Sequence, residues 1–133
     1  MSKKTVNVLS TAVSLLTGCA IYVVFSPKTY ISKLIRKYIS IKETVIPSEW
    51  VFVRYYLTDY LWALAFACCL NILLGFDRKQ VIFSAAVSVV FGVIWELLQK
   101  LNIVGGTGDI LDVFMYLLAG ITAIIINIKE KKQ

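Results

Sequence analysis

The 133-residue chain is 59% hydrophobic with a mean hydropathy of +0.78, whereas an ordinary soluble domain has about 45–50% apolar residues, so a soluble globular protein is excluded. A net charge of +6 on so apolar a chain points to anionic lipid headgroups rather than to nucleic acid. There is no His, which removes the commonest general base and zinc ligand and leaves any acid–base chemistry to carboxylates, Tyr, Lys or Cys.

By length the chain is a single domain. It opens on a short basic segment, Met1–Lys4, followed by Thr5–Phe25 without a charge, enough to cross a hydrocarbon core of ~30 Å at about 1.5 Å per residue. Lys3, Lys4 and then Leu16-Thr17-Gly18-Cys19 also have the form of a bacterial lipoprotein signal with Cys19 as the lipidated residue. The apolar sequence runs on through Ala20–Phe25, which favours an uncleaved helix. Cys19, Cys68 and Cys69 all lie in apolar runs and read as small hydrophobes, not as a disulfide or metal framework.

Pro27 disfavours helix at Ser26 and ends the first span. In Lys28–Lys42, the residues Ile31, Leu34, Ile35, Tyr38 and Ile39 recur at helical spacing with Lys33, Arg36 and Lys37 between them, which predicts an amphipathic helix lying along the headgroup plane. The whole basic loop covers 28–54, with Glu43–Ser48 as a linker and Trp50, Tyr55 and Tyr56 as an interfacial aromatic belt. Further spans are expected at Tyr55–Gly75, Val81–Leu101 and Asp109–Ile128, separated by a polar turn at Gly75–Gln80 and a Gly-rich turn at Asn102–Gly108. The fold expected is all-α: an integral membrane four-helix bundle with an amphipathic interfacial helix between helices one and two.

Helical rotation of about 100° per residue places Ala85, Ser88, Gly92, Glu96 and Gln99 on one narrow stripe of the third span. On the fourth, Asp109, Asp112, Tyr116, Gly120, Ala123 and Asn127 share another. Small residues permit close approach of membrane helices, so these faces should pack and bring Glu96 towards Asp112. With four spans, Glu43, Glu49, Asp59, Glu96, Asp109 and Asp112 fall on one side and only Asp77 and Glu130 on the other. Lys and Arg divide evenly between the sides, so the positive-inside rule does not orient the chain.

Acids beside membrane helices are costly unless paired or wet, which makes this cluster the functional candidate, with Arg54 and Lys100 the nearest counter-ions in sequence. Each member also has a structural explanation. Asp109 and Asp112 suit a helix N-terminus, Glu96 suits a pair with Arg54 or Lys100, Gln99 suits a bond to the turn backbone, and Asp59 suits a dipole contact or a snorkelling side chain.

The run E-x-x-Q, a Gly-containing turn, then D-x-x-D opening a Gly/Ala-rich helix, carried by Glu96, Gln99, Asp109 and Asp112, resembles the VanZ-like family of small bacterial membrane proteins. The likeness covers about the last fifty residues, and Asp59 is similar to an acidic position in the family's second helix. It implies a cell-envelope role with the acidic motif facing outward and the termini cytoplasmic, the family's best-known member conferring low-level resistance to the glycopeptide teicoplanin. The chain departs from the family at Gly106, where Arg is common, at Tyr116, where Asn is, and in having no His in the second helix. An activity resting on that Arg or His is therefore not implied.

Two functions remain open from sequence. One is a binding or protective module in which Glu96, Gln99, Asp109, Asp112, Asp59, Tyr116 and Arg54 hold an amphiphilic drug or a lipid-linked cell-wall intermediate without a cofactor. The other is a membrane hydrolase or transferase holding a divalent cation on its carboxylates against a lipid-linked phosphate. An ion or proton pathway is disfavoured because the middles of the helices lack acids.

Overall fold

The computed structural model describes residues 1–25, 30–40 and 47–128, and every regular element among them is helical. The elements are α1 (Lys3–Phe25), α2 (Tyr30–Tyr38), α3 (Thr58–Leu74), α4 (Arg78–Lys100) and α5 (Ile110–Ile128). Four helical stretches, Lys3–Phe25, Ser48–Leu74, Arg78–Lys100 and Ile110–Ile128, are long and apolar enough to cross a membrane, as a multi-pass protein requires. The expected helix end at Ser26–Pro27, the charged residues Lys28, Lys42 and Glu43, and the tail Lys129–Gln133 lie outside the described residues.

The second span starts earlier than the sequence suggests. After Pro47 comes a 3-10 turn at Ser48–Trp50, then a π-helical stretch at Val53–Leu57 that runs directly into α3. Trp50, Tyr55 and Tyr56 are therefore part of one helical run instead of standing ahead of it. No Gly or Pro interrupts Ser48–Leu74, so nothing in the chain stops the helix, and Thr58 helps by donating its hydroxyl to Arg54 O at 2.9 Å across the wide turn. At the other end of α3, the Gly75 N–H bonds Asn71 O at 3.0 Å. A Gln80 side chain accepting from the Asp77 N–H at 3.2 Å then starts α4.

Because lipid tails are as apolar as Leu, helix association here rests on close packing and interhelical hydrogen bonds. The sequence supplies both. α3 lies at the centre, packed against α1, α4 and α5, and α4 also packs along α5. The core between them is built mostly from small side chains, Ala63, Ala67, Cys68, Ala119 and Ala123, with Leu64 and Tyr116. Of the stripes expected on the last two helices, Ala85, Ser88 and Glu96 on α4 and Asp112, Tyr116, Gly120, Ala123 and Asn127 on α5 are buried, while Gly92, Gln99 and Asp109 are only partly so. Ser88 also donates to Ala63 O at 2.8 Å, so the α4 stripe faces α3 as well as α5. Val13, Leu16, Leu73, Phe83 and Phe91 are exposed and form the lipid-facing surface.

Three asparagines close one end of the bundle. Asn7 Nδ2 donates to Asn127 Oδ1 at 2.7 Å, while Asn71 Nδ2 and Asn127 Nδ2 donate to Asn7 Oδ1 at 3.2 and 3.3 Å. All three are buried. This network joins the start of α1 to the ends of α3 and α5, so the acidic residues of α3, α4 and α5 gather at the opposite end. There α2 docks on the last turn of α1: Ser32 Oγ donates to Tyr22 O at 2.8 Å and Arg36 donates to Val23 O at 3.1 Å, satisfying carbonyls that a helix C-terminus leaves without internal partners.

Candidate functional site

The site begins with a glycine. A Cβ at Gly108 would lie 2.6 Å from Glu96 O and 3.0 Å from Lys100 N, so the turn backbone can pass this close to the last turns of α4 only without a side chain. That approach presents the Asp109 N–H to Glu96 Oε2 at 3.0 Å. Asp109 in turn caps α5, its Oδ1 accepting from the Leu111 N–H at 3.1 Å, and its Oδ2 accepts from Tyr56 OH at 3.0 Å. One loop residue thus connects three helical segments.

Glu96, 6% exposed, has its second oxygen occupied as well. Tyr116 OH donates to Oε1 at 2.7 Å, and the Tyr116 ring fits because Gly92 offers no Cβ on the facing turn of α4. Hydrogen bonds to a charged group are worth about 1.5–3 kcal/mol each, so the pair fastens α4 to α5. Among the described residues, Glu96 is held by a backbone amide and a phenol in place of the expected pair with Arg54 or Lys100. Gln99 behaves as the turn chemistry suggests, its amide donating to Gly105 O at 3.4 Å.

Asp112 differs from both. It is 8% exposed, and its buried Oδ1 has no hydrogen-bond donor. The Asp59 carboxyl from α3 lines the same cavity, itself an acceptor unless one of the two carries a proton. Facing buried carboxyls need a shared proton or a cation to be tolerated at such a place. Asp59 lies in the first turn of α3, where a dipole contact would place it, and also lines the cavity with Asp112.

These residues line a polar cavity of about 440 Å³, whose wall includes Arg54, Asp59, Glu96, Gln99, Thr107 and Asp112. Gly106 contributes to the same wall, and Arg54 lies with its guanidinium carbon 5.0 Å from the centre of the Tyr55 ring and its buried Nε without an acceptor. Tyr22, Asp59 and Trp95 are shared with a second hollow of about 400 Å³ that continues along the bundle past Trp62, Phe66, Ser88 and Phe91. No family model, curated protein or solved structure matches this chain.

Of the residues singled out by sequence, Arg54, Asp59, Glu96, Gln99 and Asp112 share the polar cavity. Asp109 stands behind it as a brace, and Tyr116 borders the second hollow while holding Glu96. Lys100 has no part in the cavity wall. Sequence reasoning missed Tyr22, Trp62, Trp95 and Tyr56. Trp95 precedes Glu96 and could have been found from the half-turn it shares with the acid, whereas Tyr22 reaches the site only through the packing of α1 on α3. Among the described residues, no three or more Cys, Asp or Glu side chains gather closely enough to hold a metal ion.

Proposed function

We propose that this chain is a membrane-embedded binding module, VanZ-like in its acidic turn, that holds the head of an amphiphilic or lipid-linked molecule of the bacterial cell envelope. The observation that carries the reading is the polar cavity, whose wall brings the Asp59 and Asp112 carboxyls together with Arg54 inside an apolar bundle, Asp112 Oδ1 being buried and without a donor. Charge at such a place is costly unless paired, and a ligand cation at these carboxyls would offset that cost. Glu96 and Asp109 keep the cavity in shape, and Asp59 and Asp112 contact the ligand.

In this reading the acidic end faces outward from the cytoplasmic membrane, and α2 lies in the headgroup plane beside it. Lys33 and Lys37 then extend towards anionic headgroups while Leu34, Tyr38 and Ile39, all exposed, dip into the acyl boundary. Protection against a glycopeptide would follow from sequestering an amphiphilic drug or its lipid-linked target. The hydrolase alternative, a divalent cation on Glu96, Asp109 and Asp112, would require Glu96 and Asp109 to leave the donors that occupy them and turn towards Asp112.

The test is overexpression of the wild-type chain and of Asp112→Asn in a teicoplanin-susceptible bacterium, with membrane levels compared by immunoblot. Wild type is expected to shift susceptibility, and Asp112→Asn to lose the shift at equal abundance. An Asp112→Asn variant as effective as wild type removes the cavity from the function.

A further inference from the structure

The two hollows differ in chemistry but share a border. The first is lined by three carboxyl side chains and one guanidinium, and the second by Trp62, Phe66, Phe91 and Trp95. Phe66 and Phe91 meet edge to face at 5.5 Å between centroids, which closes a groove between α3 and α4. Phe91 is 60% exposed and Trp95 48%, and both lie within a membrane span, so the groove opens sideways to lipid and not to water. From Glu96 to Ser88 the groove descends roughly 12 Å along α4 at 1.5 Å per residue, a depth suited to a hydrocarbon chain.

The head end carries groups of opposite sign on one cavity wall. The Asp59 and Asp112 carboxyls suit a cationic donor, and the Arg54 guanidinium suits an anionic acceptor. A primary ammonium offers three N–H donors and can bridge both carboxyls, whereas a quaternary ammonium offers none. A phosphate suits the guanidinium. Resting on the amphiphile reading above, we infer that the occupant is a lipid whose head joins a primary ammonium to a phosphate: the ammonium on Asp59 and Asp112, the phosphate at Arg54, and one acyl chain in the groove.

The experiment uses the full chain in phosphatidylcholine nanodiscs doped with equal small amounts of phosphatidylethanolamine or phosphatidylglycerol, with retained lipid counted by native mass spectrometry. Phosphatidylethanolamine should be retained about tenfold over either other lipid, as one charge-assisted interaction allows. Asp112→Asn should level that preference, and lysophosphatidylethanolamine should compete where chainless glycerophosphoethanolamine does not. The wild-type preference needs no variant, so it stands even if Asp112→Asn fails to fold.

Phosphatidylglycerol retained as well as phosphatidylethanolamine, and released by Arg54→Ala, would overturn the ammonium assignment and leave the amphiphile reading standing. Competition by glycerophosphoethanolamine as strong as by the lysolipid would overturn the placement of the chain. Retention of no lipid above background would overturn this inference and the amphiphile reading together.

Discussion

The two ends of the bundle solve the same problem in opposite ways. Asn7, Asn71 and Asn127 are buried at one end and donate chiefly to one another, with Asn71 Oδ1 alone of their side-chain oxygens left without a donor. Asp59, Glu96 and Asp112 lie at the other around a cavity of about 440 Å³, and an Asp112 oxygen there finds no donor. Polar groups inside an apolar bundle are costly in both places, but amides bonded to one another across three helices act as a fastening, and carboxyls gathered around a cavity act as a receptor. The contrast also divides the acids themselves: Glu96, with both oxygens occupied, belongs in behaviour to the asparagine end.

Five substitutions test that division, each read as a shift in unfolding free energy in detergent. Gly108→Val should be the most damaging, about 3 kcal/mol, because its Cβ meets backbone atoms that cannot retreat. A loss under ~0.5 kcal/mol would mean the turn does not lie against α4. Glu96→Gln comes next, at about 2 kcal/mol, since the amide keeps one acceptor but turns an N–H towards a donor. Should stability be unchanged, Glu96 is no fastening and the division fails. Asn127→Ala should cost about 1 kcal/mol, the scale of interhelical hydrogen bonds in membranes, and Asn7→Ala should cost less once Asn127 is gone, since of its interhelical bonds only that with Asn71 is then left to lose. Full additivity of the two would deny the shared network. Asp112→Asn has the smallest effect and the opposite sign, a gain of about 0.5 kcal/mol as its new amide donates to Asp59 and one facing charge disappears. A loss comparable to that of Glu96→Gln would make Asp112 structural.

The four spans were legible because each is a long run of apolar residues with few charges, and α1, α4 and α5 begin, and α4 ends, within a few residues of where charge and turn residues place them. The early start of the second span was not, since Ser48–Leu57 carries polar and aromatic residues typical of an interface and only the lack of a helix breaker reveals its helicity. Within the site, helical rotation was enough to bring Glu96 near the head of α5. It could not show that the Asp109 amide would occupy Glu96, because that depends on how closely the turn passes over α4 at Gly108. The pairing of Asp59 with Asp112 depends likewise on the rotation of α3, whose apolar residues surround it too evenly to show a preferred face. The asparagines did leave a signal: one uncharged amide near an end of each of three spans, all on the same side by parity. Their meeting required the packing of α1 on α3.

The π-helical stretch Val53–Leu57 fixes the angular phase of the chain ahead of α3. A π turn holds one residue more than an α turn, so winding the same residues as regular α-helix would rotate everything before them by about 100° around the axis. Arg54 would leave the cavity wall and Tyr56 would release Asp109, while Asp59 stayed in place. Loss of this one wide turn at the mouth would thus uncouple the cationic half of the receptor from its anionic half without moving any of the other helices.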